Sequence, residues 1–322
     1  MALSKKIFSG AGVFLLSMAF VAFAQKDGQP VTFYVTVVDK KGASVEGLTA
    51  ENFKLSNGKT EARIVSFNEK PEPMSIGFLI DVSRSMQRSS SNPAGNFPLI
   101  SGGLQDLIDN SHQENEYFAA TFGDEVNILQ ELSKDSGGVK KVLGDLANVS
   151  PQGQTALYDG IGLGLKKLSG GRYAKKALIV ITDGQDSFSR LPYSELKKAA
   201  KRSNTLIYTI SVSPPSSEEF SVSVVAGETF MTDLTDITGG RTFAISRKEK
   251  GSSDVFLLLA KELQKQYAIT FEPGVAKKKD EWREIDIDLS LAKDSFNALG
   301  KPVVRSRQGY FMLLPSDLKA QN

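Results

Sequence analysis

Three oxygen-bearing side chains follow an apolar segment of the chain at alternate positions. Asp81, Ser83 and Ser85 come directly after the run Met74–Ile80, whose length and composition are typical of a buried strand. Carboxylate and hydroxyl oxygens are hard ligands of the kind that Mg²⁺ and Ca²⁺ take in proteins. The cluster therefore predicts one part of a hard-cation site where a strand ends.

Two further segments place oxygen ligands at similar junctions. Thr155 closes a Gly-x-Thr segment at the start of a predicted helix, and Asp183 lies in a Thr-Asp-Gly segment directly after another buried run. Ligands of open α/β sheets bind beyond the carboxyl ends of the strands. Each residue alone has an ordinary role, Ser83 and Thr155 as helix caps and Asp183 as the start of a tight turn. Their joint order along one sheet favours a shared site.

The elements that would position these residues alternate between apolar runs and amphipathic stretches over residues 73–266. This pattern predicts an α/β fold with a doubly wound, mostly parallel sheet and helices on both faces. The predicted strands are Met74–Asp81, Glu116–Phe122, Ala177–Thr182, Leu206–Val212 and Arg241–Ile245, with Val126–Leu132 as an antiparallel edge. Helices are predicted around Leu99–Ile108, Leu157–Leu168, Leu196–Ala200, Phe230–Ile237 and Val255–Leu263.

The two flanks have the texture of strands and turns. Val31–Val38 and Ile64–Phe67 are the strands expected before the core, and Glu284–Leu289 alternates in polarity as a half-buried strand should. Tyr267–Phe271 and Val303–Tyr310 are its expected neighbours. Neither flank has enough strands for a core of its own, so we expect both to form one small β-sandwich-like domain. The predicted organisation is 1–24 signal peptide, 25–72 and 267–314 the two parts of the β-domain, 73–266 the α/β domain, and 315–322 a tail.

The three motifs together resemble those of a von Willebrand factor type A (VWA) domain, whose fold is Rossmann-like, with a metal-ion-dependent adhesion site. The resemblance covers roughly residues 73–266 and matches Asp81, Ser83, Ser85, Thr155 and Asp183. It implies that the three hydroxyls bind Mg²⁺ or Mn²⁺ directly, with Ca²⁺ less favoured, while the two aspartates act mainly through bound waters. An ion with few carboxylate ligands keeps much of its charge, so a carboxylate of a protein or glycan partner can complete its coordination. The expected function is metal-dependent adhesion or binding.

The flanks resemble those of secreted bacterial proteins related to von Willebrand factor A. The matching stretches are Val37–Gly42, Leu48–Phe53 and Val304–Tyr310. One departure from a compact domain is the polar stretch Met86–Pro98. It predicts either a loop that shapes partner choice at the metal site or a disordered insertion.

The inventory of reactive residues argues against an enzyme. The chain has no cysteine, its single histidine is His112, and it lacks a Gly-x-Ser-x-Gly elbow and a phosphate-binding loop. A Mg²⁺-dependent phosphoryl hydrolase with Asp81 as nucleophile is the best enzymatic alternative. Haloacid-dehalogenase-like enzymes, however, carry a second aspartate where this chain has Ser83. A structural scaffold that holds metal without a ligand also stays open.

The amino terminus has the pattern of a secretory signal. Lys5 and Lys6 precede the apolar residues 7–23, and Ala22-Phe23-Ala24 is a small-residue cleavage site; the alternative is an uncleaved anchor. We expect a secreted or periplasmic protein without a stable membrane anchor after cleavage. The chain has 39 basic and 37 acidic residues, and loss of the two lysines makes these numbers equal. A near-neutral protein argues against nucleic acid as a partner.

Overall fold

The computed structural model describes residues 30–57, 60–86, 96–212, 222–245, 254–273 and 281–311, and the side chains of residues 222–229 are not part of this description. The predicted signal peptide, the tail 315–322 and residues 87–95 of the predicted polar loop lie outside the described residues. Within the described ranges, no helix combines the length and the apolar character that a membrane span requires.

The strands belong to a central sheet and to a set of smaller sheets. They are β1 (Val31–Val38), β2 (Phe53–Asn57), β3 (Thr60–Ala62), β4 (Ile64–Asn68), β5 (Ser75–Asp81), β6 (Glu116–Phe122), β7 (Val126–Ser133), β8 (Lys176–Thr182), β9 (Thr205–Val212), β10 (Thr242–Ile245), β11 (Tyr267–Phe271), β12 (Trp282–Glu284), β13 (Asp286–Leu289), β14 (Val303–Arg305) and β15 (Gly309–Phe311). The helices are α1 (Phe97–Asp109), α2 (Ser136–Asp145), α3 (Leu157–Ser169), α4 (Tyr193–Arg202), α5 (Val222–Thr238), α6 (Asp254–Gln264) and α7 (Lys293–Ala298).

The central sheet has the order β10-β9-β8-β5-β6-β7, and all its pairs are parallel except β6 with β7. Apolar side chains cover both faces: one cluster includes residues of α1, α2 and α6, and the other includes residues of α3, α4 and α5. Both faces of β5 and β6 are buried, as the continuous apolar runs indicate. The predicted doubly wound α/β fold with its antiparallel edge is confirmed.

Helix α2 has no counterpart in the prediction. Its first half is rich in glycine and its apolar residues are few, so its helical period is weak. The helix begins because the Asp135 side chain accepts a hydrogen bond from the Gly138 N–H at 2.9 Å. Val139 and Leu143, one turn apart, are fully buried and fix the helix on the sheet.

Strands from both flanks form a second unit, which we call the β-module (residues 31–68 and 267–311). Its larger sheets have the orders β14-β1-β11-β4 and β13-β2-β3, and β12 pairs with β15. Phe33 of β1, Leu55 of β2, Phe271 of β11 and Ile287 of β13 belong to one apolar cluster. The flanks therefore share a core, as the sequence predicts.

The predicted neighbours of Glu284–Leu289 are only partly correct: Glu284 pairs with Gly309, inside the predicted Val303–Tyr310, whereas Tyr267–Phe271 is not a neighbour. The segment Glu284–Leu289 is two strands, because Ile285 leaves the ladder and its N–H donates to the Gln308 carbonyl at 3.0 Å. β12 pairs with β15 and β13 with β2, whereas β11 lies between β1 and β4. Val303–Tyr310 is likewise split into β14 and β15. The alternation correctly indicates the buried face, since Ile285 and Ile287 are buried, but it carries no information on the neighbour.

A buried polar network joins the two units. Glu262 of α6 is 2% exposed and contacts the guanidinium nitrogens of Arg241 at 2.8 Å and of Arg305 at 2.9 Å. Gln266, at the start of β11, donates to the Thr36 hydroxyl of β1 and to the Tyr208 hydroxyl of β9, each at 3.1 Å. The end of α6 lies next to the amino end of β8, since the Lys175 ammonium donates to the Leu263 carbonyl, whereas Asp81 lies at the opposite, carboxyl end of β5.

Candidate metal centre

Backbone hydrogen bonds bring the first two predicted motifs together. β5 ends at Asp81, and the next residue, Val82, donates to the Phe122 carbonyl at 2.8 Å and accepts from the Gln152 N–H at 3.0 Å. Arg84 N–H then donates to the Gly153 carbonyl at 3.2 Å. The loop after β5 therefore lies along the loop that leads into α3, as expected for the carboxyl edge of a parallel sheet.

Asp81 is a fully buried carboxylate at this edge. Its Oδ1 accepts the Ser83 N–H at 2.8 Å, and its Oδ2 accepts the Thr182 hydroxyl at 2.6 Å. Burial raises the pKa of Asp81 to about 6 against these lowering hydrogen bonds, and the negative charge of Asp183 raises it further. A carboxylate held in this way is stabilised in its charged form by a nearby cation.

Ser83 and Ser85 present a pair of hydroxyls beside this carboxylate. Their Oγ atoms are 3.0 Å apart, with Ser83 buried and Ser85 exposed to solvent. Between them lies the start of a short 3-10 turn, Arg84–Met86, which turns the chain back after β5. The two hydroxyls thus span the boundary between the buried Asp81 and the solvent.

Thr155 is buried directly before α3, and its backbone is hydrogen-bonded to the loop after β8. Its N–H donates to the Ser187 hydroxyl at 3.1 Å, while its carbonyl accepts the N–H groups of Ser187 at 2.9 Å and Phe188 at 3.1 Å. Residue Ala156, not Thr155, is the N-cap of α3, and no side-chain hydrogen bond caps it. The capping role considered for Thr155 is therefore not the one it has.

Asp183 lies half-buried after β8, beside Gly184, whose φ of +87° requires glycine. Its Oδ1 accepts the Gln185 N–H at 3.3 Å, which is the turn role considered for it. Its charge also raises the pKa of Asp81, so the two carboxylates lie close enough to interact. Asp183 therefore both accepts a hydrogen bond in the turn after β8 and lies near Asp81 at the carboxyl edge of the sheet.

Three other aspartates near this edge brace the loops. The Asp124 carboxylate accepts the Gln154 N–H, at 2.5 Å. Asp159 accepts the N–H groups of two residues of the loop after β8, and Asp186 accepts the Ser189 hydroxyl at 2.6 Å. Each aspartate thus has a hydrogen-bonding partner in these loops, and none of the three belongs to the predicted ligand set.

Thr182 contacts Asp81 directly, and the sequence prediction omits it, although it lies in the Thr-Asp-Gly motif. Its hydroxyl donates to Asp81 and accepts the Gly184 N–H at 3.1 Å, so it links the carboxylate to the turn after β8. Its position as the last residue of a buried strand, next to a proposed ligand, is the signal that could have identified it. A side chain that orients a ligand is often as important for metal affinity as the ligand itself.

The donor set suits a small hard cation. It consists of two carboxylates and three hydroxyls, and among the described residues there is no group of three or more His, Cys, Asp or Glu able to hold a metal. Oxygen donors favour Mg²⁺, Mn²⁺ or Ca²⁺ over softer metals. The observation in this structure that favours such an ion is the buried Asp81 carboxylate, whose negative charge a bound cation would compensate.

The sequence model of the von Willebrand factor type A domain matches residues 75–245, more than half of the chain. The chain belongs to the VWA family. Domains of this family commonly serve in adhesion or protein interaction. The matched residues run from the first residue of β5 to the last residue of β10, so they contain the whole central sheet and all three motifs.

Several solved structures are similar to this VWA chain. A von Willebrand factor type A protein from Catenulispora acidiphila has a TM-score of 0.49 at 9% identity, over 82% of this chain and 77% of that one. BatB from Bacteroides thetaiotaomicron has a TM-score of 0.44 at 15% identity, over 59% and 98%. The PilB minor pilin from Streptococcus sanguinis has a TM-score of 0.47 at 14% identity, over 62% and 63%. Among curated proteins, none matches the chain significantly.

Proposed function

We propose that this VWA protein is a non-enzymatic binding module that captures an acidic group of a protein or glycan partner through one divalent cation. The proposed ligand set is Asp81, Ser83, Ser85, Thr155 and Asp183, with Mg²⁺ or Mn²⁺ as the ion. The observation that carries the proposal is the buried Asp81 carboxylate, with its raised pKa, beside a pair of hydroxyls that reaches solvent. The bound cation would supply the positive charge that attracts a carboxylate.

The small number of carboxylates favours recognition over catalysis. The three hydroxyls carry no charge and the two aspartates would act mainly through bound waters, so the ion would keep enough positive charge to attract an incoming carboxylate. Ser83 supplies a hydroxyl where a phosphoryl hydrolase of the alternative kind would need an acid. The roles left to the protein are to hold the ion, to orient Asp81 through Thr182, and to leave the Ser85 side open.

The proposal includes an extracytoplasmic location and the domain boundaries predicted above. Residues 1–24 carry the signal pattern, and the chain has no cysteine, so export would require no disulfide formation. The separate apolar clusters of the central sheet and of the β-module support two folding units, 73–266 and the combined flanks. Cleavage is tested by determining the amino-terminal residue of the exported protein, which we expect to be Gln25.

Metal binding is tested first, by titrating Mg²⁺ and Mn²⁺ into metal-free protein in a calorimeter. Thr155→Ala is expected to weaken affinity at least tenfold. The matched control is Thr32→Ala, since Thr32 bonds Thr270 at 2.8 Å in the β-module and should leave metal affinity unchanged. At a hundred times the dissociation constant, the ion should stabilise the wild type by about 2.7 kcal/mol. Equal affinity in Thr155→Ala and the wild type would contradict the ligand set.

Capture of a carboxylate is tested next, with beads that carry glutamyl peptides and matched beads that carry glutaminyl peptides. We expect retention on the glutamyl beads in Mn²⁺, elution by EDTA, and loss of retention in Thr155→Ala. Retention that ignores EDTA would refute metal-dependent capture. Mg²⁺-dependent turnover of a generic phosphate ester, abolished by Asp81→Asn, would replace the binding function with the hydrolase alternative.

A further inference from the structure

An exposed aromatic side chain lies beside the candidate metal centre. Among the described residues, the large apolar side chains that are more than a third exposed are Val65, Phe188, Leu258 and Val303. Phe188 is the aromatic member of this group, 45% exposed, and it belongs to the loop between β8 and α4 that also carries Asp183. Solvent-exposed aromatic residues close to a binding site are frequent anchors of protein partners.

The position of Phe188 is fixed relative to the proposed ligands. Its N–H donates to the carbonyl of Thr155 at 3.1 Å, so the two residues are in direct backbone contact. The next residue, Ser189, accepts the N–H groups of Tyr158 at 2.9 Å and Asp159 at 3.1 Å. A side chain presented by such a braced loop loses little conformational freedom when a partner covers it.

Three polar side chains near Phe188 form hydrogen bonds within the site's loops. The Ser187 hydroxyl accepts the Thr155 N–H, the Ser189 hydroxyl donates to Asp186, and the Asp159 carboxylate accepts two backbone N–H groups. A hydroxyl-rich sugar needs free hydrogen-bonding partners next to an aromatic ring, whereas an apolar side chain needs none. The surroundings of Phe188 therefore favour a peptide over a glycan.

We infer that Phe188 is a specificity-determining residue, and that the partner is a peptide segment in which an Asp or Glu is adjacent to a large apolar residue. The inference rests on the proposed function, because the acidic residue would bind the cation while its apolar neighbour covers Phe188. The cation attracts any carboxylate, and the phenyl ring selects among carboxylates by what stands next to them. The cation would provide affinity for acidic peptides, and the contact with Phe188 would provide selectivity among them.

The test is a selection from a bead-displayed library of random heptapeptides in Mn²⁺, with elution by EDTA. Wild-type protein is expected to enrich Asp or Glu with Leu, Ile, Val or Phe within two positions. Phe188→Ser is expected to keep the acidic enrichment and to lose the apolar one, and Thr155→Ala to lose both. Val65→Ser is the matched control, since Val65 is 40% exposed on β4 of the β-module and should select as the wild type does.

A single peptide from the enriched pool then gives the magnitude. Phe188→Ser is expected to weaken its affinity roughly tenfold, the effect of removing an interface anchor. Acidic enrichment without an apolar neighbour, or an unchanged pool for Phe188→Ser, overturns the role of Phe188 and leaves the proposed function intact. Absence of acidic enrichment in the wild type overturns both. Binding of a sialylated glycan surface that depends on Phe188, without apolar enrichment among peptides, overturns the choice of a peptide partner.

Discussion

Replacement of Thr182 by valine isolates the hydrogen bond that holds Asp81. Both residues are fully buried, and the donor and acceptor oxygens are 2.6 Å apart. Valine keeps the shape and the strand preference of threonine but has no hydroxyl. A hydrogen bond to a charged group contributes about 1.5–3 kcal/mol, and the Gly184 N–H loses its acceptor at a cost of about 1 kcal/mol more. We therefore expect metal-free Thr182→Val to be less stable by about 2.5–4 kcal/mol.

The same substitution should weaken metal binding, because Asp81 is then free to turn away from the ion. Loss of a side chain that orients a ligand typically lowers metal affinity roughly 10- to 100-fold. Urea unfolding in EDTA measures the first effect, and calorimetric titration with Mn²⁺ measures the second. The matched control is Thr209→Val, which removes a 2.7 Å hydroxyl pair with Thr242 inside the same sheet. It should cost about 1 kcal/mol and leave metal affinity unchanged.

The two measurements separate the possible errors in this reasoning. If Thr182→Val lowers stability but binds Mn²⁺ as tightly as the wild type, Asp81 is not oriented for the metal by this contact. If Thr209→Val weakens metal binding by a similar factor, the effect is one of general sheet stability. If Thr182→Val changes neither quantity, the short contact with Asp81 contributes nothing to the site.

Three further predictions concern burial, charge and backbone. Burial lowers the pKa of Lys175 to about 8, so the unfolded chain binds more protons than the folded one between pH 8 and 10. The free energy of unfolding should therefore rise by roughly 3 kcal/mol over this pH range, relative to that of Lys175→Met. In urea unfolding, Glu262→Gln should cost about 3–5 kcal/mol, because the partly buried guanidinium groups of Arg241 and Arg305 lose the buried carboxylate that they share. Glu195→Gln at an exposed ion pair should cost under about 1 kcal/mol. Gly153→Ala should weaken Mn²⁺ binding, measured by calorimetry, because its φ is +78° and a Cβ there would lie 2.5 Å from Asp124.

The predictable part of this protein is what local pattern and sheet geometry determine. Apolar runs locate the strands of the central sheet, and the rule for carboxyl ends then brings separated motifs to one edge without any knowledge of contacts. Asp81, Ser83 and Ser85 follow from this reasoning because their spacing is local. Thr155 follows because it lies two residues before a helix with a clear apolar period.

The missed features depend on contacts between distant segments. Thr182 contacts Asp81 across two neighbouring strands, and although its place at a strand end beside Asp183 marks it as a candidate, the contact joins residues 101 positions apart. The hydrogen bonds that fix Phe188 join a loop to the start of a helix more than thirty residues earlier. In the β-module, polarity alternates in the same way whichever strand is the neighbour, so the change of partner at Ile285 could not be read from the sequence.

The pairing of β4 with β11 gives the chain the topology of a domain insertion. Asn68 and Ala268 face each other in adjacent antiparallel strands, so the segment between them occupies the place of a hairpin loop. Such a hairpin closes easily only when the inserted segment has already brought its two ends together, since long flexible loops close slowly and at an entropic cost. The VWA domain would then fold first and hold the ends of β4 and β11 together, so that the β-module can form. A short turn joining Asn68 to Tyr267 would be the minimal replacement for the VWA domain.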